Sequence, residues 1–330
     1  MRGYNWASIY PSVSAVQQQE HRPVLLDEVI EHLRCAAGKC FVDGTVGGGG
    51  HARAILEKTA PDGCLIGIDW DSEALAKAQS NLQPYEERLV LVRENFARIG
   101  PVLARLHVQA VDGILLDLGL SSFQVDAAER GFSFSQPGPL DMRMDTREET
   151  TAAQLVNTLG EQELADLIWS FGEERWRRRI ARNIVRMRAE TPIETTERLA
   201  EVVRKAIPAG KRSRKRHPAT LTFQALRMAV NRELDNLRIF LRGALDVLRP
   251  RGRLAIISFH SLEDRVVKQA FFNWARSCRC LAQSPLCQCE GRPLVLLVNK
   301  KPVVPGAEEI KANPRARSGR LRVVEKAEAA

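Results

Sequence analysis

A glycine-rich segment near the amino terminus constrains the fold of this 330-residue chain more than any other feature. Residues 43–51 (DGTVGGGGH) directly follow the apolar residues 40–42 and directly precede a helical run at 52–58. Because glycine has no Cβ, a strand, glycine turn and helix in that order let backbone N–H groups approach a ligand closely. The strand-like residues 64–68 then lead into Asp69, nineteen residues after the last glycine, where such folds place a carboxylate on ribose hydroxyls. The segment therefore predicts a nucleotide-binding turn in an α/β fold.

The glycine spacing indicates which nucleotide binds there. A dinucleotide-binding turn requires G-x-G-x-x-G, whereas this segment offers Gly44-x-x-Gly47-x-Gly49. That difference weakens the interpretation as a nicotinamide site. The spacing fits better the Asp-x-Gly-x-Gly-x-Gly turn of S-adenosylmethionine-dependent methyltransferases, with Thr45 standing where that general pattern has its first glycine.

Six further segments carry a resemblance to one family. They are residues 21–28 (HRPVLLDE), 112–122 (DGILLDLGLSS), 129–134 (ERGFSF), 138–145 (GPLDMRMD), 258–265 (SFHSLEDR) and 313–318 (NPRARS). Together they closely resemble the bacterial small-subunit ribosomal RNA methyltransferase H family, from about His21 to about Lys326. Several long motifs in one chain make a chance similarity remote.

The resemblance implies a function and its partners. The family methylates the exocyclic N4 of a cytidine in the decoding region of 16S rRNA, so the implied cofactor is S-adenosylmethionine and the implied partner is 16S rRNA within the small ribosomal subunit. Two alternatives stay open: a methyltransferase acting on another RNA or on DNA, and a non-catalytic RNA-binding ribosome assembly factor. The Pro-Pro-aromatic tetrapeptide of DNA-acting analogues is missing here, which speaks against the DNA version. The cofactor-side residues from Asp43 through Gln124 are all present, which speaks against the assembly factor.

Composition bounds the class of protein. With 44% hydrophobic residues, the chain can bury the core of one large domain and of a smaller one. No apolar run approaches the length of a membrane span, and residues 1–20 lack the features of a signal peptide and resemble a disordered extension. Seven cysteines without an even framework fit a reducing compartment better than a disulfide scaffold. We therefore expect a cytoplasmic protein with no membrane partner; the oligomeric state stays open.

The positive charge of the chain is concentrated in one segment. Residues 173–217 contain fifteen Lys and Arg against six Asp and Glu, a local surplus equal to the formal charge of +9 of the whole chain. Seven arginines between Arg175 and Arg188 follow a helical pattern, and residues 211–217 (KRSRKRH) form a basic loop. Such a surplus suits neutralisation of RNA phosphates, although a solvated helix face is the alternative for the arginines alone.

The order of predicted elements indicates a sheet interrupted by helices. Strand-like runs at 64–69, 89–92 and 113–118 alternate with helical stretches, after which residues 125–232 contain helical patterns and no convincing strand. A helix at 233–248, a turn at 249–252 and strands at 253–259, 294–299 and 321–326 follow. We predict an α/β, Rossmann-like class I methyltransferase sheet formed by residues 21–125 and 233–330, with residues 126–232 as an inserted helical, RNA-facing domain.

The cofactor site is predicted from strand ends, because ligands of open α/β sheets bind at the carboxyl ends of the strands. Gly49, Gly50 and His51 would hold the methionine carboxylate end near a helix N-terminus, and Asp69 would accept hydrogen bonds from both ribose hydroxyls. The resemblance implies that Phe96 stacks on the adenine, with plain core packing as the alternative for this ring, and that Asp117 and Gln124 belong to the same site. His51 needs no acid-base role there, because binding alone explains it.

The catalytic group is predicted from the chemistry of the target amine. The lone pair of the cytosine N4 is delocalised into the ring, so an acceptor held against its N–H must localise that pair. Asp117, or a serine hydroxyl of Ser121 or Ser122, is the candidate acceptor. A flipped base would leave its stack to reach the methyl group.

Several side chains are candidates for contacting that base. Ser258, His260 and Ser261 are candidates for lining its pocket, and His260 as a structural histidine is the alternative. Phe132 and Phe134 would stack on a flipped base, or pack in a core instead.

Four cysteines near the carboxyl terminus form a candidate metal site. Cys278, Cys280, Cys287 and Cys289 lie within twelve residues, close enough for one tetrahedral thiolate site. Zinc there would be structural, because four thiolates leave no open ligand position. The C-x-C spacing differs from the common C-x-x-C, so four reduced thiols on a loop remain the alternative.

Overall fold

A computed structural model describes residues 22–211, 217–278 and 291–328. The expected disordered extension at residues 1–20 therefore lies outside the described residues. None of the described helices is long and apolar enough to cross a membrane.

Seven strands form one sheet. They are β1 (Cys40–Asp43), β2 (Cys64–Asp69), β3 (Leu89–Arg93), β4 (Val111–Asp117), β5 (Leu248–Ser258), β6 (Val295–Leu297) and β7 (Arg320–Lys326). Their order across the sheet is β3-β2-β1-β4-β5-β7-β6. The first five strands in that order run parallel, and β7 is antiparallel to both of its neighbours. The predicted Rossmann-like sheet is thereby confirmed, and its order reverses beside β1 and β4, where such sheets bind ligands.

Thirteen α-helices are described. They are α1 (Leu26–Leu33), α2 (Gly50–Lys58), α3 (Ser72–Asn81), α4 (Ile99–Arg105), α5 (Ser122–Asp126), α6 (Ala152–Thr158), α7 (Glu161–Gly172), α8 (Arg177–Glu190), α9 (Thr196–Ala206), α10 (Thr220–Val230), α11 (Glu233–Gly243), α12 (Ser261–Trp274) and α13 (Ala307–Ala312). Helices α6 to α10 fall between β4 and β5, where the sequence predicts helices without strands.

The packing forms separate cores on and beside the sheet. Two clusters of buried apolar side chains cover the faces of the sheet, one around Ile114 and Phe240 and the other around Phe41 and Leu115. A third cluster is formed largely by α6 to α10 and the loop that precedes them. Asn231 ties that loop to the end of α10, because its side chain accepts a hydrogen bond from the Met144 amide and donates one to the Met142 carbonyl.

One pair of cysteines differs from the expectation that all are reduced. Cys40 and Cys64 form a disulfide. The cause is the strand register: β1 and β2 run parallel and place Cys40 directly opposite Cys64. The two residues are far apart in sequence, so cysteine spacing gives no indication of this pairing.

Candidate cofactor and substrate site

A cleft of about 1150 Å³ opens at the carboxyl ends of the central strands. The glycine turn after β1, Asp69 at the end of β2 and Asp117 at the end of β4 all line it. The predicted cofactor residues Gly49, Gly50, His51, Asp69, Phe96, Asp117 and Gln124 all lie in this lining. The parallel register brings them together, since the carboxyl ends of neighbouring parallel strands meet at one edge of the sheet.

The glycine turn keeps its backbone close to its neighbours. Gly47 and Gly49 have φ angles of 52° and 87°, in the left-handed region that favours glycine. A Cβ on Gly49 would lie 2.9 Å from the Leu82 side chain, and one on Gly50 would lie 2.4 Å from Pro23. Gly49 is followed at once by helix α2, so backbone N–H groups at the start of that helix face the cleft.

Thr45 has a structural reason to replace the first glycine of the general methyltransferase pattern. Its hydroxyl oxygen accepts a hydrogen bond of 2.7 Å from the backbone amide of Asp117. Its own amide donates to the carboxylate of Asp43 at 3.1 Å. A glycine at this position would lose the first of these bonds, so Thr45 fixes the end of β4 against the turn.

Burial raises the pKa values of two aspartates at this edge of the sheet. The pKa of Asp43 is raised to about 7, chiefly by burial and to a smaller degree by the charge of Asp69. The pKa of Asp69 is raised to about 6 by burial, although backbone amides oppose that shift. The two Asp69 oxygens accept hydrogen bonds of 3.0 Å from the Gly47 and Asp71 amides. Each oxygen keeps acceptor capacity for a hydroxyl group of a ligand.

Asp117 lies beside His51 and has a carboxylate oxygen without a hydrogen-bond partner among the described residues. Burial, and then the charges of Asp43 and Glu263, raise its pKa well above the ordinary value. Its Oδ1 is buried and has no hydrogen-bond partner among the described residues. Its Oδ2 lies 3.6 Å from His51 Nδ1. An acceptor oxygen is thus left open in a carboxyl group that holds a proton more tightly than usual.

His51 is a neutral structural contact of the turn. Its Nε2 donates a 3.0 Å hydrogen bond to the Val24 carbonyl, and burial lowers its pKa to about 4. The ring is therefore uncharged near neutral pH, and Nδ1 presents a lone pair toward Asp117.

Phe96 and Gln124 combine lining with packing. The Phe96 ring packs edge to face against Phe240 at 5.8 Å between centroids, and it also belongs to one of the sheet cores. The Gln124 side chain accepts a hydrogen bond from the Ser121 amide and donates one of 2.6 Å to Asp71. Gln124 is thereby held at the start of α5, where its position in a capping box fixes it.

Sequence reasoning missed two glutamates of the cleft. Glu233 and Glu263 also line it. Arg227 donates two hydrogen bonds of 2.7 Å to Glu233. Burial alone would raise the pKa of Glu263, but the hydrogen bond and charge of His260 outweigh it and hold that pKa below its usual value. Glu263 lies in the segment 258–265, which carries part of the family resemblance. The sequence therefore marked the segment, but only the fold shows that the Glu263 side chain lines the cleft.

The candidate base-contact residues contact other parts of the protein, and none of them lines the cleft. His260 caps α12 by accepting a hydrogen bond from the Glu263 amide, and Ser258 is buried with its hydroxyl near the Arg320 carbonyl. Phe132 is buried in the helical core, and Phe134 stacks on His217 at 4.5 Å between centroids. The packing alternative describes both phenylalanines, since neither lines the cleft.

The basic segment and the cysteine cluster are described only in part. On α8, Arg177 pairs with Asp166 and Arg182 with Glu161, so acidic partners from α7 balance part of that face. Residues 212–216 of the basic loop lie outside the described residues. So do Cys280, Cys287 and Cys289, whereas Cys278 is described and exposed. The zinc prediction therefore remains a prediction.

The residues present fit a nucleotide-like cationic cofactor. The turn supplies a glycine cradle that side chains would fill, Asp69 offers two acceptor oxygens, and Asp117 keeps an orphaned one. Acidic side chains outnumber Lys and Arg in the lining of the cleft by seven to four, which favours a positively charged ligand. The acidic residues are Glu57, Asp69, Glu94, Asp117, Asp126, Glu233 and Glu263, and the basic ones are Arg22, Arg53, Lys77 and Arg315.

Comparison with known proteins gives a family match over nearly the whole chain. The family model described as the MraW methylase family matches residues 18–327. Ribosomal RNA small subunit methyltransferase H of Syntrophobacter fumaroxidans is 55% identical over 307 residues, covering 93% of this chain and 96% of that protein. The protein of the same name from Syntrophotalea carbinolica is 54% identical over 305 residues, covering 92% of this chain and 97% of its own length.

Proposed function

This chain belongs to the MraW methylase family, and from that premise we propose that it transfers a methyl group from S-adenosylmethionine to the exocyclic N4 of a cytidine in the decoding region of 16S rRNA. The small ribosomal subunit is the proposed substrate, which places the reaction in the cytoplasm. Relatives more than half identical in sequence carry the name of a ribosomal RNA small subunit methyltransferase, which supports the substrate class.

The cofactor is held by groups at three strand ends. Backbone N–H groups around Gly49, Gly50 and His51 receive the carboxylate end, because a helix N-terminus carries unpaired donors and partial positive charge. Asp69 accepts from the ribose hydroxyls, and Phe96 offers its ring to the adenine. S-adenosylmethionine supplies an activated methyl group when bound. Asp117 and the neighbouring glutamates favour the positive charge of its sulfonium.

The orphaned Oδ1 of Asp117 is the observation that carries the proposed chemistry. A buried acceptor without a partner is costly, so an incoming N–H donor that satisfies it gains binding energy. Held against the cytosine amine, this oxygen localises the nitrogen lone pair and then receives the amine proton. A raised pKa makes the ionised carboxylate a stronger base. The carboxyl loses its resting proton more readily once a positive charge enters the cleft.

Residues 126–232 are the proposed RNA-facing insert. Support comes from their position between β4 and β5, from the core that α6 to α10 share, and from the basic surplus of residues 173–217. Neutralisation of RNA phosphates by that surplus would add affinity that depends on salt concentration.

Transfer of labelled methyl groups to isolated small subunits, with naked 16S rRNA as the comparison substrate, tests this proposal. We expect label in the RNA of the subunits and a preference for subunits over naked RNA. Measurable cofactor binding without transfer to either substrate would contradict the proposed activity and favour an assembly factor.

A further inference from the structure

A second pocket, of about 480 Å³, lies beside the cofactor cleft. Phe259 lines both cavities, so the two share a wall at the carboxyl end of β5. Most residues of this pocket come from the segments 258–265 and 313–318, two motifs that the cofactor site leaves largely unexplained, and Lys268, Val304, Gly319 and Arg320 complete its lining. Because it adjoins the cleft, this pocket is a candidate binding site for a part of the substrate that stays outside the cleft.

The lining of the second pocket is strongly basic. Four cationic side chains face it: Arg265, Lys268, Arg317 and Arg320. Asp264 is the acidic member of the lining, and it is already bound by Arg322 at 2.7 Å and by Arg320 at 3.6 Å. Within the described residues, no carboxylate forms an ion pair with Lys268 or Arg317. The pocket therefore keeps a surplus of positive charge that nothing in the described chain neutralises.

A carboxylate of the chain itself binds two of the residues that line this pocket. The carboxylate of Glu173 accepts a 3.0 Å hydrogen bond from Arg265 and a 2.9 Å hydrogen bond from the hydroxyl of Ser261. Ser261 is the first residue of the 14-residue helix α12. The two groups that donate to the Glu173 carboxylate are an arginine side chain and a hydroxyl at the start of a helix. Donors of these types also bind phosphate oxygens.

The two cavities differ in charge balance, which separates the parts of a nucleotide. Acidic side chains outnumber Lys and Arg by seven to four in the lining of the cofactor cleft, and the charges of Asp43 and Glu263 act on Asp117, so a phosphate is disfavoured at the place where the cytosine amine must enter. A nucleotide that flips out of its stack carries its phosphates with it. The basic pocket next to Phe259 gives those phosphates a favourable position while the base points toward Asp117.

We propose that the pocket formed by Arg265, Lys268, Arg317 and Arg320 binds an RNA backbone phosphate next to the methylated cytidine. This inference rests on the proposed function and adds to it the position of the substrate backbone. Phosphate contacts position a nucleic acid without reading its sequence, so the pocket sets where the base enters.

The test compares a double variant with a matched control. Lys268→Ala together with Arg317→Ala removes the two exposed, unpaired cations, and exposed truncations of this kind leave the fold intact. Arg105→Ala is the control, because Arg105 is exposed at the carboxyl end of α4, at the opposite edge of the sheet. Binding of a fluorescein-labelled RNA with the decoding-region sequence is measured by anisotropy over a salt series, and methyl transfer to small subunits is measured in parallel.

We expect the double variant to bind the RNA roughly tenfold more weakly. The slope of log affinity against log salt concentration should become shallower by about one to two, because one or two phosphate contacts are lost. Its KM for subunits should rise while kcat and cofactor affinity stay near the wild-type values. Arg105→Ala should behave like the wild type. Equal RNA affinity and salt slope in the double variant and the control would overturn the phosphate site.

Other outcomes separate this inference from the proposed function. A wild-type protein that binds the RNA without methylating subunits contradicts the proposed activity, while the binding comparison still decides the phosphate site. Titration with inorganic phosphate at constant ionic strength distinguishes the ligand source. Tight binding of free phosphate that depends on Lys268 and Arg317 and excludes the RNA would overturn the assignment to RNA backbone.

Discussion

At the level of single residues, the carboxyl groups at the strand ends have unusual proton affinity. Asp43 and Asp69 have pKa values raised to about 7 and about 6, and the pKa of Asp117 is raised well above its usual value. Burial is the largest cause in each case. Such shifts cluster at functional sites, because a buried carboxyl group exchanges its proton when a ligand changes the local charge.

Cofactor affinity should depend on the ionisation of Asp69. Only the ionised carboxylate accepts hydrogen bonds at both oxygens while donating none, so the affinity for S-adenosylmethionine should fall as the pH drops below about 6. The fall approaches tenfold per pH unit for one required deprotonation. Calorimetric titration of the wild type between pH 5 and pH 8 measures it.

The Asp69→Asn variant isolates this contribution. At pH 8 the variant should bind the cofactor at least roughly tenfold more weakly. The Asp69 carboxylate accepts one hydrogen bond from the Gly47 amide and one from the Asp71 amide, whereas the Asn side chain would place its N–H₂ donor against one of these two donors. The difference in cofactor affinity between the variant and the wild type should become smaller toward pH 5, where the wild-type carboxyl group is protonated. A constant ratio of affinities over this range would show that Asp69 does not titrate in the binding step.

Asp117 should be needed for turnover more than for cofactor binding. Asn keeps the shape of the side chain and loses the base, so Asp117→Asn should reduce kcat by about a hundredfold or more. The cofactor dissociation constant should rise by a much smaller factor, because Glu233 and Glu263 still line the cleft. The control Asp62→Asn changes an exposed aspartate in the turn before β2 and should leave both quantities unchanged. Lost cofactor affinity in Asp117→Asn would instead make Asp117 a binding residue.

Single residues differ in how far the sequence reveals them. Asp69 was predictable because its distance from the glycine turn follows from one βαβ unit. The exact role of Thr45 was not, because its hydrogen bond reaches the Asp117 amide 72 positions along the chain. Glu233 and Glu263 were missed for the same reason: only the packing of α11 and α12 against the sheet brings them to the cleft.

At the level of elements, the glycine turn is the most constrained segment of the site. Gly49→Ala should destabilise the protein by about 1–3 kcal/mol, because the residue has a φ of 87° and its new Cβ would meet Leu82 at 2.9 Å. Cofactor affinity should fall with it. The control is Gly100→Ala within α4, where a Cβ meets nothing within 4 Å and alanine favours the helix. A lower melting temperature for Gly100→Ala than for Gly49→Ala would contradict the constraint assigned to the turn.

The cysteine cluster makes a prediction about the segment after α12. If the four thiolates bind zinc, purified protein should contain about one equivalent of the metal by elemental analysis, and Cys287→Ser should lower that content. Protein purified without chelators that holds no zinc would leave four reduced thiols as the correct alternative.

Element boundaries were predicted well where hydrophobic pattern decides them and less well where tertiary pairing does. The predicted strand at 64–69 coincides with β2. Strand β5 begins at Leu248, before the predicted turn at 249–252, because Leu248 pairs with Val111 and the register then shifts to Gly113 and Arg253. The preceding helix ends at Gly243, earlier than the predicted 248. A local turn signal cannot show that strand pairing continues on both sides of it.

At the level of the whole molecule, charge is arranged in two zones. Acidic side chains outnumber basic ones in the lining of the cofactor cleft, whereas basic side chains predominate in the pocket beside it and in residues 173–217. A cationic cofactor and a polyanionic RNA are thereby favoured at different places on one surface. Composition predicted the basic segment, but the basic pocket combines residues from α12 with those preceding and beginning β7, which are distant in sequence.

The identity of the methylated nucleoside decides whether the exocyclic amine of a cytidine is the methyl acceptor. Small subunits are incubated with the protein and labelled S-adenosylmethionine, and their RNA is then digested to nucleosides and separated by chromatography with mass detection. We predict that the label elutes with N4-methylcytidine after treatment with the wild type and that no label is found after treatment with Asp117→Asn. Label in another nucleoside, or in a cytidine methylated on carbon, would contradict the proposed attack by the exocyclic amine.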